Sequence, residues 1–213
     1  MPSQNLALRL LGLLGALLLI KVSIAIVGSY WLYFPPTFEQ GFLEGRAQTF
    51  VGLYRLAFYG HIVVGPICMA VGTVLLTPWS RRTAKLHRWL GRLQLLLILL
   101  VLSPSGMIMA WQSYAGWIAG FGFLSLSVAT TWCALQGWRS VLVRRYDDHA
   151  RWMLRCYILL CSAIVLRIIG GATEFMHWDA EASYRVAAWG SWVVPLMVFE
   201  VIERQWHLCR RAG

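Results

Sequence analysis

Six stretches of this chain are apolar for close to the ~20 residues that a helix needs to cross a bilayer, and only short segments separate them. They run Leu6–Phe34, Tyr54–Thr77, Trp89–Trp111, Trp117–Trp138, Trp152–Gly171 and Val186–Val201. A backbone immersed in hydrocarbon has no water to bond, so each apolar run must satisfy its own N–H and C=O groups as a helix. The composition agrees: 59% of residues are hydrophobic and 13% charged, where soluble domains carry about a quarter charged. The predicted fold is therefore all-α, a polytopic membrane bundle of six transmembrane helices.

The chain reads as a single integral membrane domain over residues 1–213. A core four-helix unit is expected at about residues 53–172, with peripheral spans at 6–34 and 186–204. Pro35-Pro36 ends the first span, because proline offers no N–H to the helix ladder. No small-residue cleavage site follows that run, so it reads as a first helix and not a signal peptide. Between about residues 38 and 50, apolar side chains recur at helical spacing among Glu39, Glu44 and Arg46, which predicts an interfacial amphipathic helix. Pro104 predicts a kink in the third span. The short turn from Gln112 to Gly116 makes the third and fourth spans antiparallel neighbours.

Lys and Arg placement sets the orientation. Arg81, Arg82, Lys85, Arg88 and Arg92 cluster after the second span. Arg139, Arg144, Arg145, Arg151 and Arg155 follow the fourth, and the tail adds more, whereas the opposite face has only Arg46, Arg55 and Arg185. Both termini are accordingly expected in the cytoplasm, with a bacterial inner membrane as the location. The net charge of +10 thus belongs to topology and anionic lipid, not to a nucleic-acid partner. The five cysteines show no CxxC pattern and read as free core thiols.

Two of the basic boundaries share a pattern. Lys85–Arg92 and Asp148–Arg155 each place a His just ahead of Arg-Trp-x-x-Arg and then enter a long apolar helix. Arg88, Trp89 and Arg92 align with Arg151, Trp152 and Arg155, with His87 and His149 one and two residues upstream of the Arg. The match suggests two related hairpins in parallel orientation. It also brings two imidazoles and four guanidiniums to one membrane face. Two facing neutral imidazoles suit a b-type haem iron or a divalent metal, and Arg88, Arg92, Arg151 and Arg155 suit the propionates of that cofactor through paired N–H donors. The competing reading is an ordinary cytoplasmic edge, with basic residues for topology and Trp89 and Trp152 in an interfacial belt.

A second constellation belongs to the outer half. His61 lies about two turns into the second span, and Arg167 lies at similar depth in the fifth, where a charge is expensive and usually faces a partner or a wet cavity. Glu174 follows Arg167 by seven residues and shares its helix face. Together they are candidates for a substrate site taking a quinone-like or small anionic molecule, or for a haem with His61 as ligand, with structural hydrogen bonds or ion pairs as the alternative. Lys21 is expected to snorkel or to pair with Glu200.

No HExxH, Walker loop or dinucleotide-binding glycine motif is present, and whether the chain is an enzyme stays open. Three functions remain: a redox protein holding haem or metal through His87 and His149, a carrier or receptor for a small anionic or lipidic molecule at His61 and Arg167, or an accessory subunit of a membrane complex or homo-oligomer.

The signature of His61, then His87, Arg88, Gly91 and Arg92, then His149, Arg151, Trp152 and Arg155, then Arg167 resembles the bacterial predicted membrane proteins grouped as domain of unknown function 2306. The resemblance spans about residues 55–170 and implies an integral membrane fold without assigning an activity. A more distant likeness is to cytochrome b561. No span here carries two His about four turns apart, so that likeness leaves room for one haem and not two.

Overall fold

A computed structural model of the protein describes Leu17 and residues 20–212. It divides into two compact units, Met1–Val51 and Gly52–Gly213. In the first unit, helix α1 (Ile20–Leu32) is apolar and closes in a tight final turn at Ser29–Leu32. There Ser29 Oγ donates to the Ile26 carbonyl at 2.8 Å. The part of the first span before Leu17 lies outside the described residues, so a full-length crossing is described only in its second half.

The expected interfacial helix at residues 38–50 is not formed. The segment is a series of turns with one short helical turn at Gly41–Leu43. Gly45 takes a left-handed conformation (φ 68°) that interrupts any continuous helix. The apolar residues that suggested a helix face pack locally instead. Leu43 and Phe50 are buried, Phe38 meets Phe50 edge-on at 5.6 Å, and the Arg46 guanidinium lies over the Phe42 ring.

The second unit holds five helices long and apolar enough to cross a membrane: α2 (Gly52–Leu76), α4 (Ala84–Ala110), α5 (Gly116–Leu142), α6 (Tyr146–Phe175) and α7 (Ala180–Ala212). A short helix, α3 (Pro78–Arg82), joins α2 to α4. Thr77 caps it by accepting from the Ser80 N–H, and Pro78 fills the first position, where no N–H is needed. These helices make the second unit a helical membrane bundle in contact with lipid.

Helix α2 packs on α4, α4 on α5, and α5 most extensively on α6. Helix α7 lies along α5 and both halves of α6, and so belongs to the same compact unit and is not a loose appendage. Bulky side chains such as Leu56, Leu100, Trp117 and Met197 point outward. The interior combines large side chains such as Phe58, Ile98, Leu159 and Ile164 with small ones, Cys68, Ala119, Cys133, Ala134 and Cys156. With no water to drive apolar faces together, small residues let backbones approach and gain packing. At Gly122 an added Cβ would lie 3.0 Å from the Ala188 carbonyl oxygen, which fixes how closely α5 meets α7.

Where a kink is expected at Pro104, the helix ladder changes locally. Helix α4 takes a wide turn at Ile98–Leu102, just before the proline, and the Ser103 N–H reaches back five residues to the Ile98 carbonyl. Widening the turn accommodates a ring that carries no N–H and crowds the preceding turn. Helix α6 is interrupted at Cys161, a break that no proline or glycine announces.

Candidate functional site

One end of the bundle, the inner one by the expected orientation, is built by the loops that join α2 to α4 and α5 to α6. The first turn of α4 carries His87. The turn after α5 reverses the chain through Arg144, at φ 59°, and delivers His149 on the first turn of α6. The two rings meet at 6.5 Å between centroids and stand nearly perpendicular, at 80°.

Each ring is held by its Nδ1. His149 Nδ1 lies 2.9 Å from the Gly137 carbonyl oxygen on α5. A carbonyl only accepts, so this nitrogen carries the hydrogen and the Nε2 lone pair stays available in the neutral ring. His87 Nδ1 lies 3.1 Å from the hydroxyl of Ser80, which is fully buried on α3. A backbone or hydroxyl partner on one nitrogen is what orients a metal-ligating His and leaves its other nitrogen to bind. Sequence reasoning found the pair but not these two anchors. Gly137 acts through its backbone, which no residue pattern marks, and Ser80 reads as an ordinary loop serine.

The four arginines divide. Arg88 and Arg92 are exposed on α4. Arg151 and Arg155 are drawn into an ion-pair network with the last helix. Arg155 holds Glu200 through both oxygens, Nε to Oε1 at 2.5 Å and Nη2 to Oε2 at 3.0 Å. Its guanidinium lies over the rings of Trp152 and Phe199. Arg151 Nε meets Glu203 Oε1 at 2.9 Å, with Asp148 at 3.7 Å, and Arg155 reaches Glu203 at 3.8 Å. Glu200 is thus the bidentate partner of Arg155, where the sequence had offered it to Lys21. The signal for this network was the pair of acids one turn apart on α7, facing two arginines one turn apart on α6.

The outer constellation does not assemble. His61 Nδ1 lies 3.1 Å from Ser105 Oγ, which also lies 3.0 Å from the Leu102 carbonyl oxygen. His61 and Ser105 share one hydrogen bond, whose direction follows the ring tautomer. Gly106 leaves room for the ring, since a Cβ there would sit 2.7 Å from Ser127 Oγ and 3.4 Å from His61 Cε1. Arg167 and Glu174 are exposed on the second half of α6, which packs chiefly on α7. Among the described residues neither is brought to His61.

Among the described residues no group of three or more His, Cys, Asp and Glu side chains converges to hold a metal ion. Cys68, Cys133 and Cys156 are free and buried, and Cys161 is free and half-buried.

No curated protein and no solved structure matches the chain, so the likeness to cytochrome b561 gains nothing from these comparisons. A family model does match, over residues 58–202, and its description is predicted membrane protein. The matched segment contains His61, both inner histidines and the arginines that pair with α7. The chain belongs to this family of predicted membrane proteins, domain of unknown function 2306.

Proposed function

We propose that this is a redox protein of a bacterial inner membrane that holds one b-type haem between His87 and His149 at the cytoplasmic end of its bundle. The observation that carries the reading is the ring pair: two anchored imidazoles from different helices with centroids 6.5 Å apart. Two metal–nitrogen bonds of ~2 Å, plus ~1.1 Å from nitrogen to ring centre on each side, give a separation of ~6 Å for two ligands on opposite sides of one metal. The donor set favours haem over a bare ion. A divalent metal takes three or four protein ligands, whereas a porphyrin brings four nitrogens and asks the protein for only the axial positions.

In this reading His87 and His149 would hold the group, with Ser80 and the Gly137 carbonyl keeping the rings in orientation. Arg88 and Arg92, exposed near the start of α4, would be free to meet its carboxylates. Arg151 and Arg155, already bonded to Glu200 and Glu203, hold α6 against α7 and so keep His149 in place. When bound, haem supplies one-electron exchange. The carrier reading, a small anionic or lipidic molecule held by His61, Arg167 and Glu174, has less support, because these three side chains do not line one space.

The test is the absorption spectrum of protein purified in mild detergent from haem-replete cells. A Soret band with about one haem per chain, and sharpened visible bands on reduction, is the expected result. Purified, folded protein without a Soret band would sink the proposal.

A further inference from the structure

The basic residues at the end of the bundle that holds the His pair fall into two groups. Arg151 and Arg155 are paired with Asp148, Glu200 and Glu203. Arg81 and Arg82 on α3, Lys85 on the first turn of α4, and Arg144 and Arg145 in the turn between α5 and α6 are exposed. Among the described residues none of these has an ion pair, and the exposed Asp147 pairs with none of them.

Membrane orientation asks only that lysine and arginine lie on one face. It does not ask that they be gathered, yet the fold gathers them. Ser80, next to Arg81, meets the His87 ring at 3.1 Å, and the His87 and His149 rings are 6.5 Å apart. The His149 N–H donates to the Arg145 carbonyl at 3.0 Å. A row of cations from each loop therefore flanks the same two rings. Like charges concentrated in this way repel one another, and the acids that could relieve them are taken by Arg151 and Arg155.

The surface beside both rows is apolar. Leu76 and Trp79 are exposed near Arg81 and Arg82, and Leu142, Val143 and Tyr146 are exposed near Arg144 and Arg145. A soluble acidic protein or a nucleic acid would meet the cations and leave these side chains in water. A lipid meets both, with phosphate on the basic groups and acyl chains along the ends of α2 and α5, where Trp79 suits the interfacial level.

We propose that the two rows bind one diphosphatidylglycerol, a lipid whose two phosphates are joined by a glycerol: Arg81, Arg82 and Lys85 take one phosphate, and Arg144 and Arg145 take the other. Arginine suits the task, because its planar fork of N–H donors meets two phosphate oxygens at once. A lipid with a single phosphate covers one row and leaves the other unpaired. Once the first phosphate is bound, the glycerol bridge holds the second at high effective concentration beside the other row. The site stands on charges outside the His pair and does not depend on haem there.

Native mass spectrometry of the whole chain released from lipid nanodiscs tests this. The background lipid is phosphatidylcholine, with diphosphatidylglycerol or phosphatidylglycerol added to the same total charge. Wild type is expected to retain diphosphatidylglycerol at least about tenfold more strongly per molecule, the worth of engaging the second row. Arg144→Gln/Arg145→Gln should bring the two lipids to within about twofold of each other, because only one row remains. Arg139→Gln/Arg204→Gln removes the same charge from α5 and α7 and should keep the preference. Every position substituted is exposed, so the fold is expected to survive both changes. Inorganic pyrophosphate, which has two phosphates and no acyl chain, should not displace the bound lipid. Equal retention of the two lipids by wild type, a preference that survives Arg144→Gln/Arg145→Gln, an equal fall in Arg139→Gln/Arg204→Gln, or displacement by pyrophosphate would each overturn the proposal.

Discussion

At the inner end of the bundle, two histidines from different helices are anchored by unlike partners, a buried serine on α3 and a carbonyl on α5, and face each other at 6.5 Å. In the outer half a third histidine is just as firmly anchored, by Ser105, yet it faces serines and a glycine and meets neither Arg167 nor Glu174. The contrast shows that depth in the membrane and polarity do not by themselves make a site. His61 meets a serine of the neighbouring span and no second imidazole, whereas His87 and His149 meet each other.

The largest effect that could break this contrast is on haem. If haem is held at this pair, His149→Ala or His87→Ala should remove most of it, measured as pyridine haemochrome per chain. His61→Ala should leave it within a few tenths of the wild-type ratio. Equal loss in all three variants would erase the distinction between the two ends.

Next in size is the network that holds α6 to α7. Arg155→Ala leaves Glu200 without its bidentate partner, while Glu203 keeps Arg151. Removal of one member of a buried pair costs ~3–5 kcal/mol, and the partial exposure of Glu200 lowers the expectation to about 2 kcal/mol. Unfolding in mixed micelles measures it. The Arg155→Ala/Glu200→Ala double variant should recover part of that loss. A double variant no more stable than Arg155→Ala would show that the pair does not act as a unit.

Gly106→Ala sharpens the outer half. The new Cβ would come within 2.7 Å of Ser127 Oγ, and overpacking of this kind costs ~1–3 kcal/mol. Stability should fall while haem content, per folded chain, stays the same. The smallest effect belongs to Arg167→Gln. Arg167 is exposed, and a change there should move stability by no more than ~0.5 kcal/mol. A loss above ~2 kcal/mol would mean that Arg167 has a partner in the assembled protein, such as a second copy.

The membrane fold was legible because hydrocarbon leaves the backbone so few options: long apolar runs must be helices, and the five long helices of the second unit fall where the runs do. The short region at 38–50 misled because its apolar spacing fits a helix face and a local cluster equally well, and Gly45 tipped it to turns. The break at Cys161 carried no proline or glycine to announce it. For the site, the repeated His and Arg-Trp pattern marked the inner residues, since both copies enter helices at the same face. What the pattern could not carry was the choice of partner. Arg155 has Glu200 available from α7, whereas Arg92, at the matching place in the repeat, has no such acid drawn to it among the described residues.

The most direct test of the central claim is low-temperature EPR of the ferric protein, which reads the number and mutual angle of axial imidazoles. If haem is held by both rings, their 80° angle predicts a strongly anisotropic low-spin signal in wild type. In His149→Ala, any haem that remains should turn high-spin. A wild-type sample that contains haem in a high-spin state, or a low-spin signal that persists unchanged in both His87→Ala and His149→Ala, would contradict the account.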